Sequence, residues 1–254
     1  MKLHYKLYGQ GPPVVVLHGL FGSLENWHYI SGQLAARFQV YGVDQRNHGR
    51  SPHAPEIDYK VMAADLLEFL DDHGLASAHL LGHSMGDKTA MQFAMLYPQR
   101  VRRLVVVDIA PRSYEPSHRE ILDAMLRLQP GRYRSRLEMD QALSSAIPEP
   151  AVRQFLLKSV TRDGDGQFAW RLNLDALSAN YDRITAALSE EGPCPAPALF
   201  ISGELSDYLR PGDHATILRL FPEAVFRVIP GASHWVHAEA PGPFLRAVLE
   251  FLAG

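Results

Sequence analysis

Four residues of this chain stand where nucleophilic chemistry could be done: Ser84, Asp108, Asp207 and His234. Ser84 is the centre of Gly82-His83-Ser84-Met85-Gly86, with an apolar run before it and an amphipathic run after it. Glycines two positions either side of a serine permit a tight strand-to-helix turn that lifts the hydroxyl clear of the backbone and holds the serine in a strained conformation. A serine hydroxyl attacks well only when a base takes its proton and a third group orients that base. His234, in Gly231-Ala232-Ser233-His234-Trp235, is the candidate base. His237 is expected to point elsewhere, and His83 to pack or hydrogen-bond beneath the turn.

The oxyanion formed by such an attack needs two backbone N–H donors. Met85, the first residue of the helix after the serine, offers one where free N–H groups and the helix dipole favour negative charge. The loop His18-Gly19-Leu20-Phe21-Gly22 offers the other, from Leu20 in preference to Phe21. No Gly-Lys-Ser/Thr follows at the spacing of a phosphate loop. Phe21 and Trp235 are the expected substrate contacts. Asp44, Arg46 and His48 share a polar loop, but one histidine beside an arginine is poor ligand chemistry, so no metal and no cofactor are expected there. Phe168, Trp170, Met125, Leu126 and Tyr208 read as packing residues, with an acyl pocket as their other use.

Positioning these groups requires strands that end near one another. Apolar or alternating runs predict strands at 2–8, 14–17, 39–43, 78–82, 103–109, 198–201 and 225–229, and helical spacing predicts helices at 25–37, 59–72, 84–97, 214–220 and 244–252. That alternation specifies an α/β fold with a mostly parallel sheet flanked by helices. Between Pro111 and Leu188 only helical segments are legible, near 117–129, 135–146, 149–160 and 173–188, too long a stretch for a loop. The expected organisation is a core of residues 1–111 and 189–254, with residues 112–188 as a helical cap inserted after the sixth strand. Ligands of such sheets bind beyond the carboxyl ends of the strands, where all the candidates fall.

The order Ser…Asp…His is that of α/β-hydrolases. The acid usually follows the strand at 198–201, three residues past its glycine, but Ser206 stands there and Asp207 one further. Asp108 follows Leu104-Val105-Val106-Val107, where an unbonded carboxylate is costly and a histidine partner would satisfy it. Asp108 is favoured, with Asp207 as the alternative.

With 254 residues, 46% hydrophobic and 21% charged, the composition is that of an ordinary globular enzyme. A net charge of −3 makes no case for nucleic acid or an anionic membrane. Cys194 is the single cysteine, which excludes an internal disulfide and suits a reducing compartment. No apolar run reaches the roughly 18 residues of a membrane span, and the first residues lack a signal-peptide core. A cytoplasmic monomer or dimer acting on a small molecule is expected.

Taken together, Val16-Leu17-His18-Gly19-Leu20-Phe21-Gly22-Ser23 with Trp27, Asp44-x-Arg46-Asn47-His48-Gly49-x-Ser51, Gly82-His83-Ser84-Met85-Gly86, Val107-Asp108-Ile109-Ala110-Pro111, Asn173-Leu174-Asp175-Ala176-Leu177 and Gly231-Ala232-Ser233-His234-Trp235-Val236-His237-Ala238 resemble the YbfF-type esterases and a similar mitochondrial abhydrolase branch. The resemblance implies hydrolysis of small to medium acyl esters or thioesters through an acyl-enzyme, with Ser84 as nucleophile, His234 as base and no cofactor. It also supports Asp108 as the acid. One departure stands out: relatives carry Gly-Gly-Lys after the elbow, and here Asp87 replaces the second glycine. The alternatives are a C–C bond hydrolase or lyase on the same fold, which would suit a pocket lined by Arg112, Arg132, Arg134 and Arg171, and a catalytically silent binding protein.

Overall fold

The computed structural model describes residues 1–189 and 191–254. Glu190, in the second core segment expected at 189–254, lies outside the described residues. The chain runs through β1 (Tyr5–Tyr8), β2 (Pro13–Leu17), α1 (His28–Leu34), β3 (Gln39–Val43), α2 (Tyr59–Asp72), β4 (Ala78–Gly82), α3 (Met85–Leu96) and β5 (Val101–Val107). Then come α4 (Arg119–Arg127), α5 (Arg136–Leu143), α6 (Pro150–Leu157), β6 (Val160–Arg162), β7 (Phe168–Trp170), α7 (Leu174–Ala179) and α8 (Tyr181–Thr185). It closes with β8 (Ala198–Gly203), α9 (His214–Leu220), β9 (Ala224–Ile229), α10 (Val236–Glu239) and α11 (Pro241–Ala253).

Seven strands form one sheet in the order β1-β3-β2-β4-β5-β8-β9. Only β1 is antiparallel, against β3; the remaining pairs are parallel. Alternation along each strand splits the core in two. Val15 and Leu17 pack with α2 and α3 on one face, while Val14 and Val16 pack with α1 and α11 on the other. Both faces are covered, which is why the central strands read as unbroken apolar runs.

The helical segment between β5 and β8 follows the fifth strand in chain order, not the sixth, because this chain reaches that point with one strand fewer. It also carries the β6–β7 hairpin, which a reading in helices alone omits. Three-residue strands are too short to show a period, and the Asp163-Gly164-Asp165-Gly166 turn was their one sequence signal. The segment is tied down over the strand ends. Asn173 donates from its backbone N–H to Asn47 O (3.0 Å) and from its side-chain amide to Asn47 Oδ1 (3.1 Å). Ser159 Oγ donates to Phe21 O (2.9 Å), and Tyr59 Oη to Ile184 O (2.5 Å).

Candidate active site

The backbone turns sharply just past the ends of β2, β3, β4 and β5. Phe21, Asn47, Ser84 and Asp108 have φ of +63°, +65°, +55° and +61°, the only non-glycine residues with positive φ among those described. Each lies within four residues of the end of β2, β3, β4 or β5. Such strain costs on the order of 1–3 kcal/mol per residue and persists only where neighbours hold it.

At Ser84 the two glycines do the holding. A Cβ on Gly82 would sit 2.6 Å from Asp87 N, and one on Gly86 would sit 2.4 Å from the Leu17 carbonyl oxygen. Ser84 therefore caps α3 with φ +55° and ψ −116°, and its partly exposed hydroxyl makes no hydrogen bond among the described residues.

His234 lies on the turn after β9. Its Nδ1 donates to Asp108 Oδ2 at 2.8 Å, and the carboxylate is fully buried. Asp108 also accepts from Gly203 N (3.2 Å) and from the Ser206 hydroxyl. Asp207 points away, with a side chain 88% exposed that faces Arg210. Burial separates the two aspartates: Ser206, at the position where the acid usually stands, donates to the carboxylate at the end of β5.

Tyr208 stacks on one face of the His234 ring at 3.9 Å. His83 lies close by at 4.6 Å, and its Nε2 donates to His234 O (2.9 Å). Burial drives the His83 pKa well down, so it serves as a neutral hydrogen-bonding brace. His237 is buried and stacked on Trp27 at 4.2 Å, its pKa lowered by burial to about 3.

The glycine-rich loop after β2 is held by two further neutral histidines. His18 Nδ1 donates to Gly19 O (2.9 Å) while its Nε2 accepts from Gln45 N (3.0 Å). His48 Nε2 accepts from Phe21 N (3.3 Å). The Phe21 amide is therefore engaged, whereas the N–H groups of Leu20 and Met85 have no acceptor among the described residues. The Asp44-Arg46-His48 loop is hydrogen-bonded structure. Asp44 accepts from Leu24 N and Arg50 N, and Arg46 forms a bidentate pair with Asp65 at 2.5 and 2.8 Å.

Ser84 opens onto two cavities that share Leu20, His118 and Tyr208. One, of about 430 Å³, lies over α3 and is lined by Tyr59, Met85, Lys88, Ile109, Tyr114 and Tyr181. The other, of about 530 Å³, is lined by Phe21, Ile121, Val152, Phe155, His234 and Trp235. Phe21 and Trp235 thus face a cavity beside Ser84. Of the five other aromatic and apolar candidates only Tyr208 does; Phe168 and Met125 are core, and Trp170 and Leu126 pack against it. Arg112 alone of the four arginines reaches a cavity, paired there with Asp213 (3.0 Å), while Arg132 and Arg134 are exposed and Arg171 meets Glu25. Lys88 and His118 escaped the sequence reading. The signal for Lys88 was available: it stands four residues after Ser84, one turn along the same face of the helix.

Comparison with known proteins agrees with this architecture. The family profile described as alpha/beta hydrolase fold matches residues 12–241. The sn-1-specific diacylglycerol lipase ABHD11 of Mus musculus is 42% identical over 250 residues, 95% of this chain and 81% of that protein. Esterase YbfF of Escherichia coli (strain K12) is 39% identical over 242 residues, 94% of this chain and 92% of that one. The solved structure of a marine microorganism esterase aligns with a TM-score of 0.96 and 42% identity, covering 98% of this chain and 99% of that one.

Proposed function

The chain belongs to the alpha/beta hydrolase fold family and is a YbfF-type carboxylic ester hydrolase, and from that premise we propose that Ser84, His234 and Asp108 form its catalytic triad. The observation that carries the assignment is the 2.8 Å bond from His234 to the buried Asp108 carboxylate, beside a cavity that the strained Ser84 also faces. Ser84 Oγ attacks the ester carbonyl while His234 Nε2 takes its proton. Asp108 keeps Nδ1 protonated and stabilises the imidazolium. The N–H groups of Leu20 and Met85 hold the oxyanion.

His234 then gives the proton to the departing alkoxide or thiolate, leaving an acyl-Ser84 ester. Water attacks that ester with His234 as base, the acid departs, and the serine hydroxyl is restored. No cofactor enters this sequence of steps. Residues 112–188 act as the cap that closes the site, and Phe21 and Trp235 contact the substrate. Small to medium acyl esters or thioesters suit the two cavities. The expected cytoplasmic location and monomeric or dimeric state rest on sequence features, beside which no described helix is long and apolar enough to cross a membrane.

A fluorophosphonate probe tests the nucleophile. The protein is expected to label at Ser84, and Ser84→Ala to lose labelling and roughly 10⁴-fold or more of its activity on p-nitrophenyl butyrate. Full activity in that variant would refute the assignment.

A further inference from the structure

The strand that carries Asp108 runs on past its neighbour. β5 pairs with β8 as far as Val107, opposite Ile201, but with β4 only as far as Val105, opposite Leu81. Beyond that point the chain of β4 leaves the ladder for the turn at Ser84. Both polar groups of Val107 still face that turn. Its carbonyl accepts from Ser84 N (3.3 Å), as a ladder would continue. Its N–H is met by a side chain instead, donating to Asp87 Oδ2 (2.7 Å).

Asp87, Val107 and Asp108 are all wholly buried. A buried N–H without an acceptor is costly, so a strand end that loses this bond is driven to shift towards another partner. The carboxyl has little room to move away, because it is wedged against the serine turn: a Cβ on Gly82 would sit 2.6 Å from Asp87 Oδ1. The next residue along β5 is Asp108, whose φ of +61° persists only where its neighbours hold it. On the β8 side Asp108 N donates to Ile201 O (2.8 Å). On the side of the serine turn the hold comes from Val107, through Ser84 N and Asp87.

We infer that Asp87 is a positioning residue: its carboxyl replaces the missing β4 partner of Val107 and locks the Asp108 turn to the serine turn, so that the Asp108–His234 pair stands in register with Ser84. This rests on the triad reading above and deepens it. Asp87 stands where similar sequences carry glycine, so the lock belongs to this chain. It acts through geometry, since Asp87 reaches the triad only by way of the Val107 backbone and its own turn of α3.

The test is a mutant cycle on the full-length protein with p-nitrophenyl butyrate. Asp87→Ala removes the acceptor, and its kcat is expected to fall about tenfold or more with KM within about twofold, because misplacing a catalytic group costs turnover and not binding. Asp87→Asn, which keeps an oxygen for Val107 N, is expected to restore kcat to within about threefold of wild type. In an Asp108→Asn background there is no carboxylate left to position, so Asp87→Ala is expected to cost less than about twofold there. Should Asp87→Ala fail to fold, Asp87→Leu fills the same space without an acceptor and takes its place in the cycle. Wild-type kcat in the variant that lacks the acceptor, equal losses in it and in Asp87→Asn, or an undiminished loss in the Asp108→Asn background would each overturn the inference while leaving the triad in place. A wild type that neither labels at Ser84 nor turns over the ester would remove the triad reading and the inference with it.

Discussion

At the scale of single residues, the site turns on which carboxylate reaches His234. Asp108 is buried and receives three hydrogen bonds, from His234, Gly203 and Ser206. Asp207 is exposed and sits beside Arg210, so it is solvated and has no imidazole to orient. Asp108→Asn would present an amide to Nδ1 and disfavour the productive tautomer. Its kcat is expected to fall by roughly 10³-fold or more, whereas Asp207→Asn should stay within about twofold on p-nitrophenyl butyrate. Equal losses in both variants would contradict the assignment. The motif spacing made both aspartates candidates, and the apolar run before Asp108 was the residue-level reason to favour it over Asp207.

Between elements, Asp87 is the joint to examine. It sits in the first turn of α3, wholly buried, and its Oδ2 accepts from Val107 N (2.7 Å) at the end of β5. Its Oδ1 finds no hydrogen-bond partner among the described residues. Burial, with the Asp108 charge adding to it, raises the Asp87 pKa well above 3.8, so the folded protein holds a proton here that the unfolded chain releases. The folded state binds more protons, and stability from this group falls as pH rises from about 3.8 towards the raised value. Asp87→Asn keeps an acceptor for Val107 N and cannot ionise. Its thermal midpoint relative to wild type is expected to climb between pH 4 and pH 8. Parallel profiles for the two proteins would show that the carboxyl does not titrate on unfolding. The sequence marked Asp87 as unusual, but its contact with β5 could not be read from a chain position 20 residues away.

For the molecule as a whole, neutral buried histidines brace the strand ends. Burial lowers His18 to about 4 and His48 and His237 to about 3, and drives His83 well down. Each is neutral when folded and takes up a proton when unfolded below its ordinary value near 6.5. Here the unfolded state binds more protons, so the contribution to stability is complete above about pH 6.5 and is lost as pH falls towards 4 and 3. For each histidine, every tenfold weakening of its proton affinity on folding corresponds to about 1.4 kcal/mol. The urea midpoint is therefore expected to drop steeply between pH 6.5 and pH 4.5. A flat midpoint across that range would mean that these histidines are not held neutral by the fold.

The sequence by itself determined the elements of the core sheet and its helices and the order of the candidate catalytic residues along the chain. Apolar alternation along β2, β4 and β5 and the helical spacing of α2 are local properties, written by neighbours a few residues apart. So is the serine turn, whose glycines answer to contacts within the turn and with the adjoining strand. The sequence could not settle pairings between distant segments. The bond between Asp108 and His234, the stacking of Tyr208 on that histidine and the engagement of the Phe21 amide by His48 all join strand ends that only the folded sheet brings together. Their strength depends on burial and distance, which are properties of packing and not of composition.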